Sequence, residues 1–362
     1  MKIASTVRLS MAIIFIGMSI TNWAQTITTP RAPSPAAEVS QTIGISTVSV
    51  NYSRPSVKGR VVWGELVPFG WNVEPFGSPH PTPWRAGANE NTIIEFSHDA
   101  TVAGQKVPAG RYGLFFVINK DNSGEVVLSK DSHSWGNFFY DPANDLCRAK
   151  IQIRENAMTE MLTYSFINVD RNTAELVLNW EKKQFPVKIE IAVDEIVMNN
   201  AEDQLKGAMG FTWQGFNSAA NYSLQNKINI ERGLYYAERA VVFNKNFTTL
   251  NTKAGLLRLH GRNEEADKIQ TEAMTVANEV ELNAYAYQLL NSGNMEGAIK
   301  AFKDNTDRHP ESANAWDSLG EGYAIKGDKK EAIKCFKKSL TLNPTDLIKA
   351  NSEKYLKQLG EK

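Results

Sequence analysis

The chain has 362 residues, of which 42% are hydrophobic and 22% charged, with 40 basic and 40 acidic side chains and a formal net charge of +0. That length suits two domains rather than one, and the apolar content is ample for packed cores. Balanced charge without a long single-sign run removes the electrostatic footprint of a nucleic-acid binder, so no nucleic acid is expected as a partner.

Residues 1–24 read as an export signal. Lys2 and Arg8 give a basic start, Met11 through Ile20 an apolar run, and Ala24 a small residue before Gln25. The run is short for a bilayer span, so the mature form is expected to carry no transmembrane segment and to be periplasmic or secreted. No cysteine lies near this point to take a lipid. Residues 25–35, rich in Thr, Ser and Pro, form a linker.

From residue 36 to 194 the hydrophobic period is two. Val48, Val50 and Tyr52 alternate with polar neighbours, as do Cys147, Ala149, Ile151 and Ile153. Ala174, Leu176, Leu178 and Trp180 repeat the pattern, and Val187, Ile189, Ile191 and Val193 follow a polar Glu181–Gln184 stretch. The two runs are expected to pair as a hairpin. Further strands are expected at 93–96, 112–118, 125–129 and 162–169, with Pro108-Ala109-Gly110 and Asn122-Ser123-Gly124 as turns. Many short strands with one polar face predict an all-β antiparallel sandwich or barrel. The two cysteines, Cys147 and Cys335, fall in different domains and read as free, buried thiols.

Two long connections interrupt the strands. Residues 53–91 carry Arg54, Lys58, Arg60, Trp63, Trp71, Trp84, Arg85, Asn89 and Glu90; residues 130–146 carry His133, Trp135, Phe138, Phe139 and Tyr140. Aromatic loops of this length are usually functional, and the two are expected to converge on one face. The stretches NYSRPSVKGR, WRAGANENTIIEF, VPAGRYGLFFV and LVLNWEKKQFPVKIEI resemble a bacterial family of exported proteins known as domain of unknown function 2911, often followed by tetratricopeptide repeats. The resemblance implies a β-rich exported domain and brings no established activity. Residues 70–83 are longer and richer in proline than the family's pattern.

Trp84 through Glu90 offers a flat aromatic, a guanidinium fork, an amide and a carboxylate, with Gly87 allowing a turn. Two readings stand open. In one, Arg54, Trp63, Trp84, Arg85, Asn89, Glu90, His133 and Trp135 line a pocket for a small polar ligand or glycan. In the other, Arg85 pairs with Glu90 to brace the loop while Trp84 plugs the end of the sandwich. A hydrolase or lyase would use Glu90 or His98 as base and Arg85 against developing negative charge. His98, His133 and Glu90 lack metal-ligand spacing, and no metal or other cofactor is expected. No G-x-S-x-G elbow, phosphate-binding loop or C-x-x-C pair is present.

Beyond residue 194 the period becomes helical. Trp316, Leu319, Gly320, Tyr323, Ala332, Phe336 and Pro344 fit the tetratricopeptide pattern W-x2-L-G-x2-Y, A-x3-F, P. Gly261, Gly293 and Gly327 recur at the length of one helical hairpin. These marks place repeats near 213–246, 247–279, 280–312 and 313–346, a capping helix at 347–359, and an all-α superhelix over residues 195–362. The superhelix is expected to take a protein or peptide partner, with Asn283, Tyr287, Asn314, Asp317 and Glu321 as candidate contacts on its inner wall. The whole reads as an exported, non-enzymatic binding or scaffold protein.

Overall fold

A computed structural model describes residues 33–361 in two units, divided between Ile191 and Ala192. The export signal and all but the end of the linker lie outside the described residues.

The first unit is a sandwich of two antiparallel sheets. Strands β1 (Ala36–Ile43), β2 (Ser46–Ser53), β3 (Ile93–Phe96), β6 (Gly110–Ile118), β7 (Ser123–Ser129) and β8 (Asp145–Gln152) form one sheet in the order β1-β2-β3-β6-β7-β8. Strands β4 (Ala100–Val102), β5 (Gln105–Val107), β9 (Arg154–Ile167) and β10 (Thr173–Ile191) form the other, in the order β5-β4-β10-β9. Alternation decides which side faces inward: Val48, Val50 and Tyr52 of β2 are buried, as are Leu176, Leu178 and Trp180 of β10. Across the core, the Tyr52 and Tyr164 rings meet edge to face at 4.7 Å. The tight β4–β5 turn is Ala103-Gly104, both at positive φ, as a two-residue hairpin with the sheet's twist requires.

The hairpin expected between Ala174–Trp180 and Val187–Val193 does not form. β10 is one 19-residue strand that pairs with β9 along Glu175–Gln184 and with β4 along Ile189–Ile191. The polar stretch mistaken for a turn is an irregularity within it: Glu181 sits at φ 53 and the β9 register shifts on either side. The even-numbered residues Ala174–Trp180 face the core before this point, and the odd-numbered Phe185, Val187, Ile189 and Ile191 after it. The bulge therefore resets the alternation, which leaves the same sequence signature as a turn.

Among the described residues the second unit has ten α-helices. After α1 (Val193–Gln204) come four hairpins: α2 (Trp213–Asn226) with α3 (Ile230–Phe243), α4 (Phe247–Leu259) with α5 (Asn263–Val276), α6 (Glu279–Asn291) with α7 (Met295–Arg308), and α8 (Ala313–Lys326) with α9 (Lys329–Leu340). Helix α10 (Asp346–Gln358) closes the unit. Sequence dictates the boundaries locally. Asn246 with Thr249, and Asn278 with Glu281, make reciprocal capping boxes at α4 and α6. Gly327 ends α8 at φ 88, and Asp328 accepts from Glu331 N to start α9. Gly320 lets α8 and α9 close up, since a Cβ there would stand 2.8 Å from the Phe336 ring. Leu319, Tyr323, Ala332 and Phe336 share one core cluster with Phe302 and Leu356.

Candidate functional site

Strand β3 is only four residues long, so it covers just the first part of β6. The long loop from residue 54 to 92 supplies the rest of that edge. Leu114 N donates to Thr92 O, Trp84 exchanges both backbone bonds with Phe116, and Gly70 N donates to Ile118 O. This edge pairing fixes Trp84 and Arg85 beside the sandwich core.

The two long loops do meet. Ser78 N donates to Phe138 O at 2.5 Å, Ser78 Oγ to Tyr140 O at 2.6 Å, and Asn137 Nδ2 to Glu74 Oε1 at 2.6 Å and Thr82 Oγ1 at 2.9 Å. Asn137 is buried, so these bonds carry structural weight. Nearby, Phe76 packs edge-on against Phe138 and Phe139.

Between the loops and the sandwich lies a cleft of about 510 Å³. One wall is aromatic. Trp84 stacks on Trp180 with centroids 5.7 Å apart, and Trp63 meets both edge-on at 5.7 and 5.8 Å. Trp63 is held by the bulge, its Nε1 donating to Glu181 Oε2 at 3.2 Å. Trp180 is 1% exposed, and its indole N–H has no hydrogen-bond partner among the described residues. The lining also includes the apolar Leu66, Val67, Phe116 and Ile118, and its polar part is Lys58, Arg60, Asn72, Glu74, Arg85, Asn89 and Asn137.

Arg85 is the most constrained of these. Its Nη1 donates to Asn89 O at 2.8 Å, and its guanidinium lies over the Phe138 ring at 4.9 Å. Burial lowers its pKa from the ordinary value, against the opposing charge of Glu74. Arg60 donates to the carbonyls of Ser56 and Val57 at 2.5 and 3.1 Å, while Lys58 is exposed.

The candidate residues separate accordingly. Trp84, Arg85 and Asn89 line the cleft, and Trp63 backs its aromatic wall. Arg54 does not line it: its guanidinium donates to Leu162 O and Thr163 Oγ1 on β9. Glu90 is half-buried and outside the lining. His133 and Trp135 are exposed on the second loop and also stand outside it. His98 follows Phe96, at the other end of β3 from Arg85 and Glu90, where its ring meets Ser97 Oγ at 3.0 Å. Glu90, His98 and Arg85 are therefore not brought together at one end of β3, and no group of three metal-ligating side chains occurs among the described residues. Sequence reasoning missed Trp180, Glu74, Asn72 and Asn137 as site residues. Trp180 reads as ordinary strand core, and the others sit in irregular segments without periodicity.

In the helical unit, Tyr287 OH donates to Glu321 Oε2 at 2.7 Å, and Asn351 Nδ2 to Asp317 Oδ2 at 2.8 Å and Glu321 Oε1 at 2.6 Å. Ser352 Oγ also donates to Asp317 Oδ1. Helix α10 thus occupies the polar groups of α8, and Asp317 is only 6% exposed. Burial raises its pKa, and the charge of Glu321 adds to the effect. Asn283 and Asn314 remain half-buried on α6 and α8.

Residues 34–189 match the family model described as a protein of unknown function, DUF2911, and residues 313–346 that of a tetratricopeptide repeat. Among curated proteins the chain is similar to Tetratricopeptide repeat protein 7A of Homo sapiens, 25% identical over 161 residues, or 44% of this chain and 18% of that protein. The chain therefore spans less than a fifth of that relative's length. Among solved structures it is similar to YrrB, a tetratricopeptide-repeat protein with an unusual peptide-binding site, at 16% identity over 44% of this chain and 84% of that one, with a TM-score of 0.28. It is also similar to MamA, at 16% identity over 46% and 92% of the two chains, with a TM-score of 0.29. The chain accordingly joins a DUF2911 domain at residues 34–189 to a helical unit carrying a tetratricopeptide repeat at residues 313–346.

Proposed function

We propose that the chain is an exported, non-enzymatic binding protein, periplasmic or secreted, in which the β sandwich holds a small polar ligand or glycan and the repeats dock a protein or peptide partner. The observation that carries the ligand half is the cleft at Trp84 and Arg85, where an aromatic wall faces several polar side chains. Small-molecule sites combine apolar area with a few fixed polar groups in this way. Stacked helical hairpins support the partner half, since such stacks present extended surfaces to peptides. Export rests on the basic and apolar pattern of residues 1–24.

A thermal-shift screen of the chain lacking residues 1–24, against glycans, peptides and carboxylates, tests the ligand half. A ligand that binds only the folded state raises the melting temperature with saturation. The expected result is a shift that Trp84→Leu removes while the variant still melts cooperatively. A shift unchanged in Trp84→Leu would place the binding elsewhere.

A further inference from the structure

The cleft's lining is unbalanced in charge. Lys58, Arg60 and Arg85 contribute three cations, and Glu74 is the one carboxylate among the described lining residues. Glu74 is also engaged, accepting from Asn137 at 2.6 Å while its charge acts on Arg85. Lys58 and Arg60 are exposed to water at the rim, whereas Arg85 is half-buried, so Arg85 is the cation that gains most from an anionic ligand. An anion entering between low-dielectric walls gains from all three cations at once.

The aromatic side restricts the ligand further. Trp180 is buried against Trp84, while Trp84 itself remains half-exposed and lines the cleft. A half-exposed indole beside a guanidinium suits a ring whose C–H face stacks while its charged substituent reaches the fork. The amide nitrogens of Asn72, Asn89 and Asn137 donate within the protein, to Gly70 O, Ser34 O, and Glu74 with Thr82, so these side chains offer the ligand their amide oxygens, acceptors that suit hydroxyl donors better than a second carboxylate.

Building on the reading of the cleft as a ligand site, we infer that its ligand is an acidic sugar, a uronic-acid unit whose carboxylate is held by Arg85 with Lys58 and Arg60 at the rim and whose ring lies against Trp84. Inorganic anions lack the ring, and neutral sugars lack the charge.

Titration calorimetry on the chain lacking residues 1–24 tests this with three probes: methyl glucuronide, its neutral twin methyl glucoside, and sodium acetate. The glucuronide is expected to bind about tenfold or more tightly than either of the others, a difference that one desolvated charge contact readily produces. Added salt should weaken the glucuronide and leave the glucoside unchanged. Lys58→Asn is the control variant, because Lys58 is exposed at φ 48 and asparagine tolerates that conformation. It should lower glucuronide affinity several-fold at an unchanged melting temperature. Equal binding of glucuronide and glucoside would overturn the acidic-sugar inference while leaving the ligand site standing. Equal binding of acetate would overturn the role of the ring. No heat from any probe up to about 10 mM, together with no shift in the screen above, would overturn both the inference and the site.

Discussion

Arg85 and Gly136 touch so closely that a Cβ on Gly136 would stand 2.3 Å from Arg85 Nη1 and 2.4 Å from its Cζ. The second long loop thus acts as a mould for the guanidinium donated by the first. Gly136 also sits at φ 65, where an L side chain is strained.

Gly136→Ala should therefore cost about 1–2 kcal/mol of stability from the backbone alone. The larger effect should fall on binding, because the methyl group displaces the guanidinium from Asn89 O and the Phe138 face. Chemical denaturation and calorimetry on the same variant check this. The expected outcome is a folded protein whose affinity falls further than its stability.

Gly320→Ala addresses the helical unit. Alanine favours a helix over glycine by about 1 kcal/mol, yet the added Cβ would lie 2.8–3.0 Å from three atoms of the Phe336 ring. Phe336 is fully buried and stacked on Tyr355 at 5.0 Å, so the ring has nowhere to move. The net effect should be destabilisation by about 1–3 kcal/mol, read from the helical circular-dichroism signal in urea.

Asp317 gives the unit a defined response to acid. Burial raises its folded pKa above the ordinary carboxylate value, so a proton binds the folded state more tightly than the unfolded one. Its contribution to stability is fully present below the unfolded value of about 4 and is lost as pH rises through the raised folded value. Asp317→Asn keeps an acceptor for Ser352 and removes the charge beside Glu321. Relative to the native chain, the variant should gain stability as pH is raised from about 4 to about 7, a trend that urea melts at several pH values will show.

The cysteines should resist modification until the chain unfolds. Burial pushes the Cys147 thiol up to about 11 and the Cys335 thiol up to about 12, with nearby Asp145 and Glu331 adding to each. Since the thiolate is the reactive form, iodoacetamide at mildly alkaline pH should label neither in buffer and both in denaturant. Mass spectrometry reads the outcome directly.

The sequence carried the sandwich and the repeats because both depend on periodicity. Ile93–Phe96 and Tyr112–Ile118 are short apolar runs bounded by polar or turn residues and form β3 and most of β6, and Gly320 and Phe336 announce a helix pair by spacing alone. The cleft was half legible. Trp84, Arg85 and Asn89 lie on one loop and could be read as a group, whereas Trp180 looks like any core residue of an alternating strand. Glu74 and Asn137 are far apart in sequence and meet only because Ser78 ties the loops together. The continuity of β10 was hidden for a physical reason. It depends on how far a strand runs, and polar residues at a bulge look the same as polar residues at a turn.

Glu181 makes β10 unusually sensitive to its own length. Because the inward side changes from even to odd residues at this point, removing a single residue here would join the two halves into one regular alternation with Phe185 through Ile191 still facing inward. Removing two would leave an odd spacing between Trp180 and Phe185, so the second half would turn its apolar side outward unless the irregularity were rebuilt. Related chains should thus tolerate a single deletion at this position better than a paired one. The same step holds the Trp63 indole through the Glu181 carboxylate, so a change in strand phase would also reach the cleft.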